Sequence, residues 1–311
     1  MKYISMRSSS SYARLKLMAY YLQRLTTSRR LRHAATLTTI ACLRALRGRA
    51  ASSGGLSESV VALRETGYLP LGRLLSGQQC DEILAHMRSK RIKATRGSGE
   101  SFTVDAVPPG TSTGDHELEH VVNCLHIMEL ANHPALLALA ASYIGYTPTI
   151  TLLGMRWSFP DDRPDVDVQG FHRDSEAGSV KLMVYLTEVD MDAGPHHYVP
   201  GTHRDRMPLR MQRYADADIA RLHGAGIVVT GAAGTAFLID TKGIHKGMPL
   251  AGRARLLLGI QYSLLPCLVY EYEPVAYRGA AAVDPYVNRL MVAAGPLIDE
   301  AYDEDCTTAQ V

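Results

Sequence analysis

Two histidines and one aspartate in the second half of the chain have the types and spacing of metal ligands. His172 and Asp174 are two residues apart, and His245 lies far along the chain. Two imidazoles and one carboxylate on one face of an ion form the facial triad that holds non-haem Fe(II). We therefore expect residues 170–255 to be the functional centre, folded so that His245 and Arg255 return beside His172.

The HxD pattern that carries two of these ligands is short, and it occurs twice, at residues 172–174 and 203–205. Both copies read HRD, the tripeptide of a protein-kinase catalytic loop. No GxGxxG loop and no DFG tripeptide accompany them, so a kinase is excluded. The first copy lies between strand-like segments, where a rigid scaffold can hold a ligand. The second follows Pro-Gly-Thr, and we interpret His203 and Asp205 as surface turn residues.

The residues alone leave the third ligand open. His245 follows an apolar, strand-like segment and precedes another, so its side chain could share a cavity with His172. His223 falls in a segment of helical pattern, whereas His196 and His197 lie in a turn containing Gly and Pro. The candidates are His196, His197, His203, His223 and His245.

Two arginines, Arg253 and Arg255, follow His245. A 2-oxo acid can chelate Fe(II) through its C1 carboxylate and keto oxygen, and the far carboxylate of 2-oxoglutarate would then need a fixed cation. Arginine suits that role because its planar fork binds a carboxylate in two places and stays charged. Residues two apart on a strand point to the same face, so this reasoning does not choose between the two arginines.

The elements that must position these residues change type near residue 149. Before it, the patterns predict helices at 57–66, 76–90, 118–131 and 134–144, a strand at 67–72 and a loop at 91–114. After it, short β-rich segments separated by Gly, Pro and Asp predict a sandwich or barrel. The predicted strands span residues 149–159, 171–173, 180–189, 198–199, 227–230, 235–239 and 256–265. A helical insertion is predicted at 209–223.

The charge distribution divides the chain into a basic head and an acidic body. Residues 1–50 contain eleven Lys/Arg and no Asp or Glu, whereas the other 261 residues contain 22 Lys/Arg and 31 Asp/Glu. An acidic body argues against nucleic acid as a partner, because phosphate binding needs a positive surface. The Ser-Ser-Gly-Gly run at 52–55 reads as a linker. We therefore predict an extension at 1–55 and a folded domain at 56–311, with a solvated acidic tail at 299–305.

Three interpretations of the head stay open: a membrane-surface amphipathic helix, an organelle-targeting segment, and a solvated extension. The segments 13–25 and 36–46 carry apolar residues at helical spacing. No run of 18 apolar residues occurs, so no transmembrane helix is predicted. The five cysteines form no CxxC pair, which favours a reducing compartment over a disulfide framework or a zinc site. The chain is expected to be intracellular, with the cytoplasm as the default.

Three segments together resemble bacterial members of the phytanoyl-CoA dioxygenase family. They are ETGYLPLGRLLSGQQCDEIL at 65–84, HRDSEAGSVKLMVYLTEVDMDAGPHHYVPGTHR at 172–204, and GTAFLIDTKGIHKGMPLAGRARLLLGIQYS at 234–263. The similarity spans residues 57–266. It implies a mainly β fold with flanking helices around a double-stranded β-helix, or jelly-roll, core.

The resemblance also implies which residues bind cofactors. Fe(II) would be held by His172, Asp174 and His245, and 2-oxoglutarate by Arg255, which leads into the last core strand where the family places its arginine. Further candidates for contacts with 2-oxoglutarate are Lys181, Tyr185, Thr187 and Arg253. The presence of Asp174 argues against a halogenase, in which that carboxylate is replaced. Gly247 lacks the hydroxyl that some members place two residues after the second histidine.

The expected function is that of an Fe(II)- and 2-oxoglutarate-dependent dioxygenase. It would hydroxylate an unactivated C–H bond of a small-molecule or lipid-linked substrate with O2 and release succinate and CO2, with ascorbate as a candidate reductant. The alternative is a non-catalytic jelly-roll protein that binds a metal or ligand and carries a vestigial triad. Peripheral membrane contact through residues 1–50 is a further hypothesis. No sequence feature selects the substrate.

Overall fold

The computed structural model describes residues 2–3, 11–48, 58–95, 100–160, 169–174, 178–205 and 212–294. The linker predicted at 52–55 and the acidic tail predicted at 299–305 lie outside these residues. The helices are α1 Ser11–Leu25, α2 Arg29–Arg47, α3 Glu58–Thr66, α4 Gly77–Arg88, α5 Leu118–Val122, α6 Ile127–Ala131, α7 Pro134–Ile144, α8 Asp216–His223 and α9 Pro285–Asn288. The strands are β1 Lys2–Tyr3, β2 Tyr68–Arg73, β3 Ile92–Ala94, β4 Ser101–Phe102, β5 Thr113–His116, β6 Thr149–Ser158, β7 Ser179–Tyr185, β8 His196–Val199, β9 Ile227–Val229, β10 Thr235–Ile239, β11 Ile244–Gly247, β12 Arg255–Ser263 and β13 Tyr270–Glu271.

Two antiparallel sheets form the jelly-roll core, which confirms the predicted fold class. The larger sheet has eight strands in the order β2-β10-β7-β12-β6-β5-β3-β4, and the smaller has the order β11-β8-β9. The central strand β12 pairs with β6 on one side and with β7 on the other. The two neighbours of β12 are therefore far from it in sequence.

The alternation of side chains along β12 assigns the two faces of the large sheet. Leu256, Leu258 and Ile260 belong to the main apolar cluster, which also contains residues of α4, α6 and α7. Leu257, on the opposite face, packs against a smaller cluster between the two sheets that includes Tyr198 from β8. Because the period of a strand is two, one face of β12 supports the helices and the other faces the smaller sheet.

Several predicted helix boundaries are confirmed. Ser76 and Gln79 form the predicted capping box at the start of α4, and Pro134 occupies the first turn of α7. Gly145 ends α7 in the left-handed conformation, with φ 94°. The single helix predicted at 118–131 is wrong. It is divided into α5 and α6 at His126, whose φ is 63° and whose Nε2 lies 2.6 Å from Glu82 Oε2.

The loop predicted at 91–114 contains three short strands that extend the large sheet. Ile92 of β3 and Phe102 of β4 are buried, and Gly114 of β5 lets both side chains approach its backbone. Strands of two to four residues are too short for an alternating pattern to reveal them. Conversely, the strand predicted at 171–173 consists of isolated bridges at Phe171 and His172.

The head forms two helices that pack on the body. Ile40 of α2 belongs to the main apolar cluster, and Arg44 donates to the Gly145 carbonyl oxygen at 2.9 Å. Leu17 of α1 packs against Val269. The described part of the head therefore makes both apolar and hydrogen-bond contacts with the body. None of the described helices combines the length and apolar character needed to cross a membrane.

Candidate active site

The two histidines of the predicted triad face each other across paired backbone. The His172 N–H donates to the His245 carbonyl at 2.9 Å, and the His245 N–H donates to the His172 carbonyl at 3.0 Å. The Asp174 N–H donates to the Thr241 carbonyl at 2.8 Å. The segment carrying the first two residues is thus fixed against the loop and strand β11 that carry the third.

The ligand atoms of His172, Asp174 and His245 converge. One side-chain donor atom from each residue lies within 4.8 Å of the other two. The His172 Nδ1 lies 2.9 Å from the Gly170 carbonyl oxygen, and the His245 Nδ1 lies 2.9 Å from the Gly243 carbonyl oxygen. Each Nδ1–H can donate to its carbonyl, which leaves each Nε2 lone pair available to a metal. The donor set and its tautomers fit a divalent transition metal such as Fe(II).

The electrostatics of this cluster favour the protonation states that a metal requires. Burial lowers the pKa of both histidines, that of His245 to about 4. Burial disfavours the Asp174 carboxylate, but His245, Lys181 and the Thr241 hydroxyl offset this effect and hold the pKa of Asp174 below its ordinary value. Neutral imidazoles and an ionised carboxylate bind a metal without first losing protons.

The loop that leads into β11 is anchored by a fully buried carboxylate. Asp240 accepts hydrogen bonds from the Tyr143 hydroxyl at 2.5 Å and from the Lys242 backbone N–H at 2.9 Å, and its carboxylate lies 3.0 Å from Lys242 Nζ. The Tyr198 hydroxyl donates to the Asp240 carbonyl at 3.0 Å. A side chain at Gly243 would collide with that hydroxyl. These contacts fix the loop from which His245 projects.

The middle residue of the first HRD copy connects three segments around the site. Arg173 is buried, and its Nη1 donates to the carbonyls of Thr202 at 2.6 Å and Lys242 at 2.8 Å. Its Nε donates to the Tyr214 hydroxyl at 3.2 Å, and its Nη2 pairs with Asp205. Asp205 belongs to the second HRD copy, so the two copies are joined.

The interpretation of His203 as a surface residue is wrong. Its side chain is buried, and its Nε2 lies 3.0 Å from the Arg64 carbonyl oxygen. Burial lowers its pKa. The turn following Pro200 packs under α3 instead of facing solvent, and the Gly201 N–H donates to the Thr66 carbonyl at 2.7 Å. His203 does not belong to the metal-competent cluster found among the described residues.

Arg255 is a buried cation that lacks a carboxylate partner in the described part of the protein. It is the first residue of β12, and it lies opposite Ser158 of β6. Its Nη1 donates to the Gly194 carbonyl, and its Nη2 lies 3.5 Å from Ser158 Oγ. Its Nε is buried and has no hydrogen-bond partner among the described residues. Burial lowers the pKa of Arg255, so an anion placed beside it would be strongly favoured.

Arg253 has different surroundings, which separates the two arginines. It precedes β12, so the strand alternation that would have placed both side chains on one face does not apply. Arg253 is largely exposed, pairs with Asp190, and lies 3.7 Å from Glu188. Its charge is already matched at the surface.

The polar groups of the three remaining candidates for 2-oxoglutarate contacts have different surroundings. Lys181 of β7 extends over Gly259, where an added Cβ would lie 3.6 Å from Lys181 Cε. The Tyr185 hydroxyl donates to the Val229 carbonyl at 2.8 Å and accepts from the His196 N–H at 2.9 Å. The Thr187 hydroxyl accepts from the Leu256 N–H at 3.1 Å. The hydroxyls of Tyr185 and Thr187 are therefore engaged with backbone, whereas the charge of Lys181 helps to lower the pKa of Asp174.

His196, one of the five candidates for the third ligand, lies beside the predicted triad without belonging to it. The prediction that it lies in a turn is wrong, because it begins β8, which pairs with both β9 and β11. Its ring stacks on that of His245, with centroids 5.5 Å apart, and its buried Nε2 has no partner among the described residues. Burial, reinforced by His245 and Arg255, lowers its pKa well below the ordinary value. The Gly-Pro turn followed by His-His-Tyr-Val was the available signal for a strand starting at this position.

Comparisons with known proteins agree with this geometry. The sequence profile of the family described as Phytanoyl-CoA dioxygenase (PhyH) matches residues 63–254. No curated protein matches the sequence significantly.

Two solved structures are similar to this chain at low sequence identity. The non-heme alpha ketoglutarate dependent epimerase SnoN from nogalamycin biosynthesis has a TM-score of 0.50 and 21% identity, over 66% of this chain and 81% of that one. HygX from Streptomyces hygroscopicus, with nickel and 2-oxoglutarate bound, has a TM-score of 0.47 and 17% identity, over 74% of this chain and 97% of that one.

Proposed function

The chain belongs to the phytanoyl-CoA dioxygenase family, which uses Fe(II) and 2-oxoglutarate, and on that premise we propose that it is an oxygenase that hydroxylates an unactivated C–H bond. The substrate would be a small molecule or a lipid-linked molecule, and the co-products would be succinate and CO2. The observation that carries this proposal is the convergence of His172, Asp174 and His245 on paired backbone.

In this proposal the triad holds iron through the Nε2 atoms of the two histidines and the Asp174 carboxylate. The carbonyls of Gly170 and Gly243 keep both rings in the ligating orientation. Fe(II) and 2-oxoglutarate, when bound there, would supply the oxidative chemistry. The protein supplies the geometry, the charge and a cavity shielded from water.

Arg255 is proposed to bind the far carboxylate of 2-oxoglutarate. It is buried without an ion pair in the described part of the chain, and a guanidinium can bind a carboxylate in two places. The Ser158 hydroxyl lies beside the same guanidinium. Some members of the family place a hydroxyl at the position that is Gly247 in this chain. An added Cβ at Gly247 would lie 3.4 Å from Arg255 Nη2, so both positions border the same site.

His196 is proposed to contact the cosubstrate between its two ends. Its ring lies against His245 on one side, and Arg255 is close enough to depress its pKa further. A neutral imidazole with an unpartnered buried nitrogen can donate one hydrogen bond to an oxygen of 2-oxoglutarate. Lys181 is close enough to influence the charge states of Asp174 and His196, and it is proposed to favour an anionic group of cosubstrate or substrate.

The experiment that tests the proposed activity is 2-oxoglutarate turnover by the purified full-length chain. With Fe(II), O2 and ascorbate, we expect slow succinate formation without substrate, because these centres can turn over uncoupled. His223→Ala, in the exposed part of α8, serves as the control for His172→Ala. Succinate formation that is unchanged in His172→Ala would contradict the proposal. Its absence from the folded, iron-loaded wild type would favour the non-catalytic alternative.

A second proposal concerns the membrane contact suggested by the basic head. Six of the twelve exposed large apolar side chains of the described residues lie on α1 and α2; they are Leu15, Met18, Tyr21, Leu31, Leu37 and Leu46. Residues 11–48 also contain eight Lys/Arg and no acidic residue. Exposed apolar groups among cations suit an anionic bilayer surface, which would bring a lipid-linked substrate to the enzyme.

Vesicle sedimentation tests this contact. We expect the wild type to pellet with vesicles containing phosphatidylserine and much less with pure phosphatidylcholine. The double substitution Leu31→Asp/Leu46→Asp should reduce pelleting at least about tenfold, since each change removes apolar contact and adds a repelled charge. Leu222→Asp, on the exposed face of α8, is the matched control. Equal pelleting of the double variant and the wild type would contradict this proposal.

A further inference from the structure

The head reaches the loops of the metal site through one shared carboxylate. Asp205 lies between two guanidiniums: Arg173 pairs with one oxygen, and Arg29 of α2 lies 3.2 Å from the other. The side chain of Arg173 is almost fully inaccessible, and those of Arg29 and Asp205 are only 18% and 19% exposed. This network is therefore largely shielded from water. In such surroundings, removing one partner of an ion pair leaves an uncompensated charge and is strongly destabilising.

Arg173 connects this network to the predicted metal ligands. Arg173 lies between His172 and Asp174 in sequence, and it also donates to the Lys242 carbonyl, in the loop that leads to His245. Its guanidinium therefore ties the loops that carry all three triad residues. Asp205 holds that guanidinium through one oxygen, and Arg29 forms an ion pair with the other oxygen.

Helix α2 makes further contacts with the same region. Arg29 also donates to the His203 carbonyl, which fixes the backbone beside Asp205. About two turns after Arg29 along α2, Thr36 approaches Gly178. A Cβ added at Gly178 would lie 3.5 Å from Thr36 Cγ2. Gly178 precedes β7, the strand that follows the HxD segment and carries Lys181. Helix α2 thus contacts the chain shortly after Asp174, at Gly178, and also the turn that contains His203 and Asp205.

From these contacts we infer that α2 of the basic head belongs to the scaffold of the metal site, and that Arg29 is a positioning residue for His172 and Asp174. The inference rests on the proposed function in one respect, namely that the triad binds a divalent metal. It predicts that displacing α2 loosens the metal site although no residue of α2 is a ligand. The head and the centre would then be coupled, so that whatever binds the head also acts on the metal affinity.

The test is Ni(II) binding by the full-length apo-protein, measured by isothermal titration at neutral pH. Arg29→Ala should weaken Ni(II) affinity about tenfold or more, the size of effect found when groups that orient metal ligands are removed. Arg30→Ala makes the same change of charge at an exposed neighbouring position and should leave the affinity unchanged. Arg29→Lys keeps the charge but loses the fork, so we expect it to restore part of the affinity.

The outcomes separate positioning from general stabilisation. A lower melting temperature for Arg29→Ala with wild-type Ni(II) affinity would overturn the inference, because α2 would then stabilise only the fold. If Arg29→Ala does not fold, two other single variants take its place, Arg29→Lys and Asp205→Asn. Wild-type Ni(II) affinity in both of them would also overturn the inference. If the wild type binds no Ni(II), the inference falls together with the metal site. A further outcome separates this inference from the proposed function. If Arg29→Ala weakens Ni(II) binding but the wild type does not bind 2-oxoglutarate, this inference is supported and the proposed function is contradicted.

Discussion

His172 and His245 are joined by two backbone hydrogen bonds, each residue donating its N–H to the carbonyl of the other. Their rings lie 4.4 Å apart between centroids. The candidate metal ligands therefore project from paired backbone, in which removal of a side chain leaves the main-chain bonds intact. This relationship allows each ligand to be removed without dismantling the loop that carries it.

The first prediction concerns His245. His245→Ala should retain the fold and lose more Ni(II) affinity than the 10- to 100-fold typical of groups that merely orient ligands, because it removes a donor atom itself. Calorimetric titration of the apo-protein measures this, and circular dichroism checks the fold. His223→Ala should bind Ni(II) as the wild type does. Near-wild-type affinity in folded His245→Ala would remove His245 from the ligand set.

The second prediction distinguishes the two arginines. Arg255→Ala should weaken 2-oxoglutarate binding on the order of 100-fold, since a buried charge pair loses one partner. Arg253→Ala should change binding less than about twofold, because that side chain is exposed and already paired with Asp190. Anaerobic titration of the Fe(II)-loaded protein with 2-oxoglutarate gives both values. The reverse order of effects would reassign the cosubstrate site.

The third prediction concerns His196. His196→Phe preserves an aromatic ring against Phe237, whose centroid lies 5.3 Å away, but it removes both nitrogens. If His196 donates to 2-oxoglutarate, its loss should weaken binding by about 10-fold or more and shift the charge-transfer band of the Fe(II) chelate. His197→Phe changes the next residue of β8, which points to the opposite face. Binding and band unchanged in His196→Phe would exclude the contact.

The fourth prediction uses the single tryptophan as a probe of pH. The Trp157 indole N–H donates to His116 Nε2 at 3.2 Å, which requires an unprotonated nitrogen, and burial lowers the pKa of His116 to about 4. Tryptophan fluorescence of the folded protein should therefore change with a midpoint near pH 4, well below the value of about 6.5 for an exposed histidine. His116→Phe should abolish this step. A step in the wild type near pH 6.5 would contradict the assignment.

The depressed pKa of His116 also predicts that the free energy of unfolding decreases as the pH falls. Because its folded pKa is depressed, the unfolded chain binds the proton more readily between pH 6.5 and pH 4. His116 therefore contributes stability that is complete above pH 6.5 and is lost as the pH falls towards 4, up to about 3 kcal/mol. Urea unfolding at pH 7 and at pH 4.5 should show a smaller pH-dependent loss in His116→Phe than in the wild type.

The fold class could be predicted from the sequence, and the donor atoms of the three predicted ligands lie within 4.8 Å of one another in the structure. The short β segments after residue 149 and the triad spacing carry local information, and the resemblance supplied Arg255. The structure adds the reason for preferring Arg255 over Arg253: one begins β12 inside the protein, and the other precedes it at the surface. Sequence spacing alone does not record that difference.

What the sequence could not predict depends on contacts between distant segments. The position of His196 beside His245 follows from β8 lying beside β11, which the sequence pattern does not show. Asp205 was predicted to be a surface residue although it pairs with Arg173. The packing of α2 on the body likewise depends on Arg29 and Ile40 meeting groups far along the chain. Local patterns identify helices and strands, but they do not identify which buried charges meet.

The most direct test of the central claim is anaerobic addition of Fe(II) and then 2-oxoglutarate to the purified full-length protein, followed by visible absorption. We predict the weak charge-transfer band of the chelate in the wild type and its loss in His172→Ala, with the variant still folded. A folded, iron-loaded wild type that shows no band with saturating 2-oxoglutarate would contradict the assignment of this triad as the oxygenase centre.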